Sequence, residues 1–487
     1  MIKLNRKLMI IISTFIGVSI FALSPIPLSI DQKIMIAIAF TAALFWITEA
    51  LPIAVTALLV IILQILFGIH PAAEGLAFIA TPVNTLLLAG FIIAGALKKY
   101  DLDRRIGLQF ISIMGDKTEN LLLGIFVATA FLSMWISNTA TTAIMLPIGI
   151  GIIKKAIDEP KGSNLGKAMV IGIAFTANLG GMGTPVGTPP VPITIGFLAQ
   201  HDIEISFGGW MIRAVPVLLI TIPLVWKLMM TVYKPEVETI EGGTEDIKKE
   251  LAEMGEFTKK QKHVLILFGI AVFLWLLDAM DMGIIWLIDN VFIFAFLEPL
   301  RGFLPLSGDW IYIASLLIAM MFIFPGIGVL EWDEAQDEIG WGVFVLVGGG
   351  LALGNGLTKT GVIDIIVNNM EVFLTGVNLL VVVAAIAFIT AFSITLFSSL
   401  SATSSVFVPV TISLAFTLGI EPLFLAPVAG MAACMAFLLP ANTPPNAIAY
   451  KTGFFKTYEM TKAGLLATIL SASGLVLVVM LLWNPLL

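Results

Sequence analysis

Charge is what this chain has least of. Only 12% of its 487 residues are Asp, Glu, Lys or Arg, 59% are hydrophobic, and mean hydropathy is +1.03. That excludes a large soluble domain and indicates a polytopic membrane protein. Cys434, in an apolar run, is the only cysteine, so no intrachain disulfide can form, and it reads as a packing residue. His70, His201 and His263 are scattered without ligand spacing, which argues against a His-based metal site or triad. A net charge of −7 and the lack of any basic cluster argue against nucleic acid as a partner. No Arg or Lys lies between Glu119 and Ile153, or between 378 and 450. Any anion bound there must be met by dipoles, hydroxyls and cations rather than by a guanidinium.

What the chain has is apolar runs of spanning length. The first follows Lys3, Arg6 and Lys7 and resembles a signal peptide, yet Ser24-Pro25-Ile26-Pro27 offers no small-x-small cleavage pattern, so residues 1–30 read as a retained N-terminal helix. Spans are expected near 8–25, 34–50, 52–69, 83–98, 168–200, 208–231, 263–279, 309–325, 341–358, 415–450 and 461–484, with 168–200 and 415–450 interrupted. The fold class is therefore all-α and polytopic, with about 11 transmembrane helices. Two further segments, 119–153 and 378–412, are too short for two full spans plus a turn and are expected to be re-entrant hairpins. The polar stretch 233–262 reads as a solvated linker between halves 31–232 and 263–487.

Basic residues set the orientation. The positive N-terminus is expected in the cytoplasm, and four spans later Lys98, Lys99, Arg104, Arg105 and Lys117 stand where the chain should again be inside. Lys154, Lys155, Lys161, Lys167 and the linker follow suit, whereas 360–377 has no Lys or Arg and is expected outside. Lys33 and Arg301 are exceptions, and 283–297, interrupted by Asp289, is not counted as a span. The protein is thus expected as a multi-pass protein of the cell membrane, with its C-terminus extracellular.

The halves match. Ala89-Gly90-Phe91 through Leu97 aligns with Gly349-Gly350-Leu351 through Leu357, Ser137-Asn138-Thr139 with Ser399-Leu400-Ser401, Pro147 with Pro409, and Thr188-Pro189-Pro190 with Thr443-Pro444-Pro445. The spacings all fall at roughly 260 residues, the mark of an internal repeat. One hairpin is entered from inside and the other from outside, so the repeat is inverted, as in many secondary transporters.

Polar tips and helix breakers at membrane depth are costly unless they line a binding site. Thr188 and Thr443 are expected to cap new half-helices with Pro189 and Pro444 as first residues. Thr139–Thr142 and Ser401–Ser405 are expected to cap the helices returning from the tips. Four helix N-termini at about +0.5 each would suit a dianion. Hydroxyls of Ser137, Thr139, Thr188, Ser399, Ser401 and Thr443, with the Asn138 amide, can donate to carboxylate oxygens. Carbonyls at the ends of the preceding half-helices could hold Na⁺.

At these residues the chain resembles the divalent anion/sodium symporter family, which includes Na⁺-coupled di- and tricarboxylate transporters and related exchangers. The resemblance implies a homodimer of scaffold and transport domains moving as an elevator. It implies carboxylates held by Asn138, Thr139 and Thr188 from the first half and by the second tip with Thr443 and Pro444. It further implies a first Na⁺ site of Ser133, Ser137, Asn138 and Gly187. The second site, Thr395, Ser398 and Asn442, departs from the pattern because Leu400 replaces an asparagine; Asn442 is expected to substitute in part. Val191 likewise replaces the asparagine that Asn446 keeps after the second Pro-Pro. An empty carrier with a damaged cation site would be held back by uncompensated positive potential. Obligatory exchange of C4–C6 di- and tricarboxylates of the succinate, malate, fumarate or 2-oxoglutarate type is therefore the favoured expectation, with Na⁺-coupled dicarboxylate symport as the alternative. Citrate and sulfate remain in the substrate panel.

A channel would need a continuous polar path or ringed charges, and an enzyme would need a catalytic constellation. Neither pattern is present in the sequence. Glu49, Asp278 and Asp281 read as helix-end caps or anchors, and no enzymatic cofactor is expected.

Overall fold

The computed structural model describes residues 6–48, 50–278, 310–374 and 376–483. Among them there are helices and no strand. The first half contains α1 (Arg6–Ala22), α2 (Ile30–Thr48), α3 (Ile53–Leu66), α4 (Ala72–Ala77), α5 (Pro82–Lys99) and α6 (Leu102–Ser112). It continues with α7 (Thr118–Ser133), α8 (Asn138–Ala156), α9 (Asn164–Gly181), α10 (Pro190–Ala199) and α11 (Phe207–Val232). A short α12 (Gly243–Glu253) lies in the linker. The second half has α13 (Lys259–Asp278), α14 (Trp310–Ile323), α15 (Trp332–Glu338), α16 (Trp341–Lys359), α17 (Val362–Leu374), α18 (Leu379–Phe397) and α19 (Leu400–Leu418). It ends with α20 (Pro422–Ala432), α21 (Pro444–Lys451) and α22 (Thr457–Val478), which runs into a π-helical turn, Val479–Trp483.

Local signals explain most of these boundaries. Thr81, Ser163 and Ser206 accept hydrogen bonds from the backbone N–H three residues on and start α5, α9 and α11. Gly419, at φ 65°, ends α19, and Pro422 opens α20. The second hairpin therefore reaches Leu418, beyond the 412 expected, and the second broken helix starts at 422 rather than 415. Likewise the first hairpin runs from Thr118 to Ala156. Its arms are 16 and 19 residues, and those of the second are 19 each, so length alone does not separate the second pair from full spans. Glu49, Asp281, Asp289, Arg301 and the segment 283–297 lie outside the described residues.

The halves interlock by exchange. The helix after the first break, α10, packs on α19 and α20 of the second half, and its counterpart α21 packs on α8 and α9 of the first. The same swap joins α3 to α16 and α14 to α5, while α11 and α22 pair with each other. Glycines permit the close approaches between halves: a Cβ at Gly349 would overlap Ala57 of α3, and one at Gly354 would overlap the Phe197 ring of α10.

Ion pairs report which loops share a side. Lys98 meets Glu338 at 2.6 Å, Lys99 meets Glu334, Arg104 meets Glu250 at 2.8 Å, Lys155 meets Asp246 at 2.6 Å and Lys167 meets Glu459 at 2.7 Å. Each joins a segment whose Lys or Arg residues are expected on the inner side to another loop, so the two loops share a side. Lys359 and Glu74, 3.1 Å apart, pair with each other. Surface pairs add little stability, but they fix the relative topology.

Gly180 of α9 lies against the main chain of α7, where a Cβ would overlap the Ala130 carbonyl. Main chain cannot yield as a side chain can. Gly180→Ala should destabilise the protein by about 2 kcal/mol, whereas Gly151→Ala, which meets nothing within 4 Å, should be neutral or better; thermal unfolding in detergent distinguishes them. On α6, burial pushes the Asp103 carboxyl up to about 6 from 3.8, although its Oδ1 accepts from Arg104 N at 2.7 Å. The folded state then binds more protons than the unfolded one between about pH 4 and 6, so this group's contribution to stability falls as pH rises through that window. Asp103→Asn should raise Tm above pH 6, and the two proteins should converge below pH 4.

Candidate functional site

The first hairpin tip, residues 134–137, ends against the break between α9 and α10. Met134 O accepts a short hydrogen bond from Thr184 Oγ1, and Met182 O accepts from Trp210 Nε1 at 2.8 Å. Main-chain carbonyls freed by the break are thereby paired at low dielectric. Ser137 is the N-cap of α8, its hydroxyl accepting from Ala140 N at 3.2 Å. Asn138 follows, 6% exposed, its Nδ2 donating to Thr188 Oγ1 at 3.4 Å. Ser133 Oγ lies 2.8 Å from Asn138 Oδ1 and 2.7 Å from Ala177 O. One hydroxyl proton cannot serve both acceptors, so either a cation sits beside these oxygens or the Asn138 amide turns its NH₂ to Ser133 and accepts from Thr188. Gly187 lets main chains converge, since a Cβ there would stand 2.8 Å from Ser133 O and closer still to Gly181 O. Ser133, Asn138, Thr188 and Gly187 are thus brought together, with Ser137 at the exposed lip and Thr139 and Pro189 half-buried beside it.

Two capping expectations are corrected. Thr188 does not cap α10; Pro189 does, in helical conformation and without a side-chain bond, because the Thr188 hydroxyl is turned to Asn138. At the tips the caps are Ser137 and Ser399, not Thr139–Thr142 or Ser401–Ser405. Those later hydroxyls bond back along the helix: Thr142 to Asn138 O, Thr403 to Ser399 O and Ser404 to Ser401 O.

The second copy is built differently. Its tip is shorter, Ser398–Ser399, and reverses through Ser398 at φ 46°, a left-handed conformation that costs a non-glycine residue about 1 kcal/mol. Ser399 accepts from Ala402 N at 3.3 Å, and Ser401 is buried behind it. Thr443 caps α21 as expected, accepting from Asn446 N at 3.4 Å, with Pro444 first in the helix and exposed. Asn442 does not stand in for the missing asparagine. Its Oδ1 accepts from Leu439 N at 2.8 Å and its Nδ2 donates to Ile394 O at 3.4 Å, so both ends of the amide are engaged by main chain. Thr395 Oγ1 is buried without a partner among the described residues. Sequence reasoning missed Asn178 of α9, fully buried, whose Nδ2 reaches Thr443 Oγ1 at 3.2 Å and Asn446 Oδ1 at 3.0 Å. A lone asparagine at membrane depth was the available signal.

The first tip is also tied to neighbouring helices. Trp135 lies near-parallel to Trp275 of α13, ring centroids 6.4 Å apart, and Trp275 stacks on Phe207 of α11 at 4.4 Å. At the second tip, Phe397 makes an edge contact with Phe407 of its own hairpin at 6.3 Å.

Paired tips meeting paired breaks, in two exchanged halves, define a secondary membrane transporter. The chain matches the family model described as the sodium:sulfate symporter transmembrane region over residues 3–487 and belongs to that family. It is 35% identical over 478 residues to the sodium-dependent dicarboxylate transporter SdcS of Staphylococcus saprophyticus, covering 95% of this chain and 88% of that one. It is 33% identical over 460 residues to SdcS of Staphylococcus aureus, covering 91% and 85%. In fold it is similar to the crystal structure of the Alcanivorax borkumensis YdaH transporter, with a TM-score of 0.52 and 13% identity over 88% of this chain and 97% of that one.

The aromatic contrast has a measurable consequence. Trp135→Ala should cost about 3 kcal/mol, and Phe397→Ala less than half as much, as read by thermal unfolding in detergent.

Proposed function

We propose that this protein is a Na⁺-coupled symporter of C4–C6 dicarboxylates. One observation carries the reading: Ser133, Asn138 and Gly187 form an oxygen-rich cluster at the first tip, in a chain similar over nearly its whole length to transporters named for sodium and dicarboxylate. Those relatives favour the alternative, Na⁺ symport, over the expectation of obligatory exchange. Its physical premise also weakens, because Leu400 removes one side chain from a set in which a buried, unpartnered Thr395 hydroxyl remains beside the end of α18, whose carbonyls suit Na⁺.

In this reading the N-termini of α8, α10, α19 and α21 supply about +2 of partial charge to a dianion, one carboxylate meeting each half. Two hydroxyl-lined clusters from different halves suit a dicarboxylate better than a compact sulfate. Na⁺ taken up at the ends of the preceding half-helices offsets their negative dipole ends, so loaded and empty carriers both approach neutrality and can move. Re-entrant hairpins, elevator motion of the hairpins and broken helices against the remaining helices, a homodimer, a cell-membrane location, a cytoplasmic N-terminus and an extracellular C-terminus belong to the same proposal.

Proteoliposomes empty of dicarboxylate should accumulate labelled succinate when an inward Na⁺ gradient is imposed. Uptake that needs internal succinate and ignores Na⁺ would overturn the reading in favour of exchange. Ser133→Ala should raise the Na⁺ half-saturation about tenfold, the scale on which loss of a supporting ligand weakens ion binding.

A further inference from the structure

Repeat symmetry alone would leave the two breaks alike, yet they are held differently. In the register that aligns Thr188-Pro189-Pro190 with Thr443-Pro444-Pro445, the counterpart of Asn178 is Ala433 and that of Asn446 is Val191. The second break therefore carries a pair of amides that the first lacks.

Their orientation follows from the acceptors around them. Asn446 Nδ2 donates to Ala436 O at 2.9 Å and Leu439 O at 3.0 Å, which turns its Oδ1 toward Asn178. Asn178 must then present its NH₂, and its Nδ2 stands 3.0 Å from Asn446 Oδ1, 3.1 Å from Ala436 O and 3.2 Å from Thr443 Oγ1. Thr443 Oγ1 also accepts from Asn446 N. Asn178 Nδ2 has two protons to share among these three acceptors, and with it and Asn446 N both facing Thr443 Oγ1 the hydroxyl is left to offer its own proton. Asn178 Oδ1 is buried without a partner among the described residues, so the hydrogen bonds this side chain makes are those of its NH₂ group.

We infer that Asn178 is a positioning residue: reaching across from the first half, it fixes Thr443 as a hydrogen-bond donor to the substrate carboxylate at the break where Leu400 removes an amide from the tip. The inference rests on the dicarboxylate reading above. It makes the second break selective for an ionised carboxylate, which accepts hydrogen bonds only, over a group that must donate.

The test is a double-mutant cycle in proteoliposomes at saturating Na⁺. Asn178→Ala is expected to raise the succinate KM about tenfold, the loss of one well-aligned hydrogen bond, with the maximal rate within about twofold and the Na⁺ half-saturation unchanged. Thr443→Val is expected to do the same, and the double variant to be no worse than Thr443→Val alone. Additive losses, or a shift in Na⁺ half-saturation in place of succinate KM, would overturn the inference. If Asn178→Ala does not fold, Asn178→Ser, which keeps one donor, enters the same cycle with a smaller expected shift and the same criterion of non-additivity. A wild-type protein that neither transports succinate nor is stabilised by it would instead remove the dicarboxylate reading on which the inference rests.

Discussion

Main-chain groups freed by breaking a helix must find partners where water is excluded, and the rest of this structure is arranged around that requirement. Each break ends a helix and starts another, which exposes carbonyls on one side and N–H groups on the other. Thr184 and Trp210 pair two carbonyls at the first tip and break; Asn178 and Asn446 do the same for Ala436 at the second. The N–H groups that remain suit the site to an anion. Exchange of α10 and α21 between halves buries the new helices against the opposite repeat, so neither break is supported by its own half alone.

The copies share a plan and differ in how it is carried out. The first tip is longer, ends in Asn138 and is stacked on α11 and α13 through Trp135. The second is short, turns through a left-handed serine and presents leucine. Compensation comes from the other side of the break, where the side chains of Asn178, Thr443 and Asn446 form a network that the first copy replaces with Val191 and Ala433. One half is thus equipped with oxygens at its tip and the other with amides at its break, an inequality suited to binding cations and an anion together.

Much of the fold was legible in the sequence. Every expected span within the described residues contains a helix, because apolar runs of spanning length have few alternatives in a bilayer. The Lys and Arg pattern groups Lys98 and Lys155 on one side, and the ion pairs of Lys98 with Glu338 and Lys155 with Asp246 show which segments lie beside them. Hairpin lengths were misjudged where the stop signal was a single glycine, Gly419, inside an apolar context. Capping was misassigned at Thr188 because its hydroxyl had a competing partner fifty positions away in sequence, Asn138, and local pattern carries no information about such a partner.

By itself, the sequence determined that the chain lies in a membrane, that its pattern is doubled, and where its helices must break, because hydropathy and proline act locally and along the chain. Only the tertiary structure decided what each polar side chain does. Asn442 is engaged by main chain, Asn138 faces both Ser133 and Thr188, and Asn178, unremarkable in its own helix, reaches the opposite half. The reason is physical: a hydrogen bond is set by distance and direction between groups brought together by packing, and in this fold those groups come from different repeats.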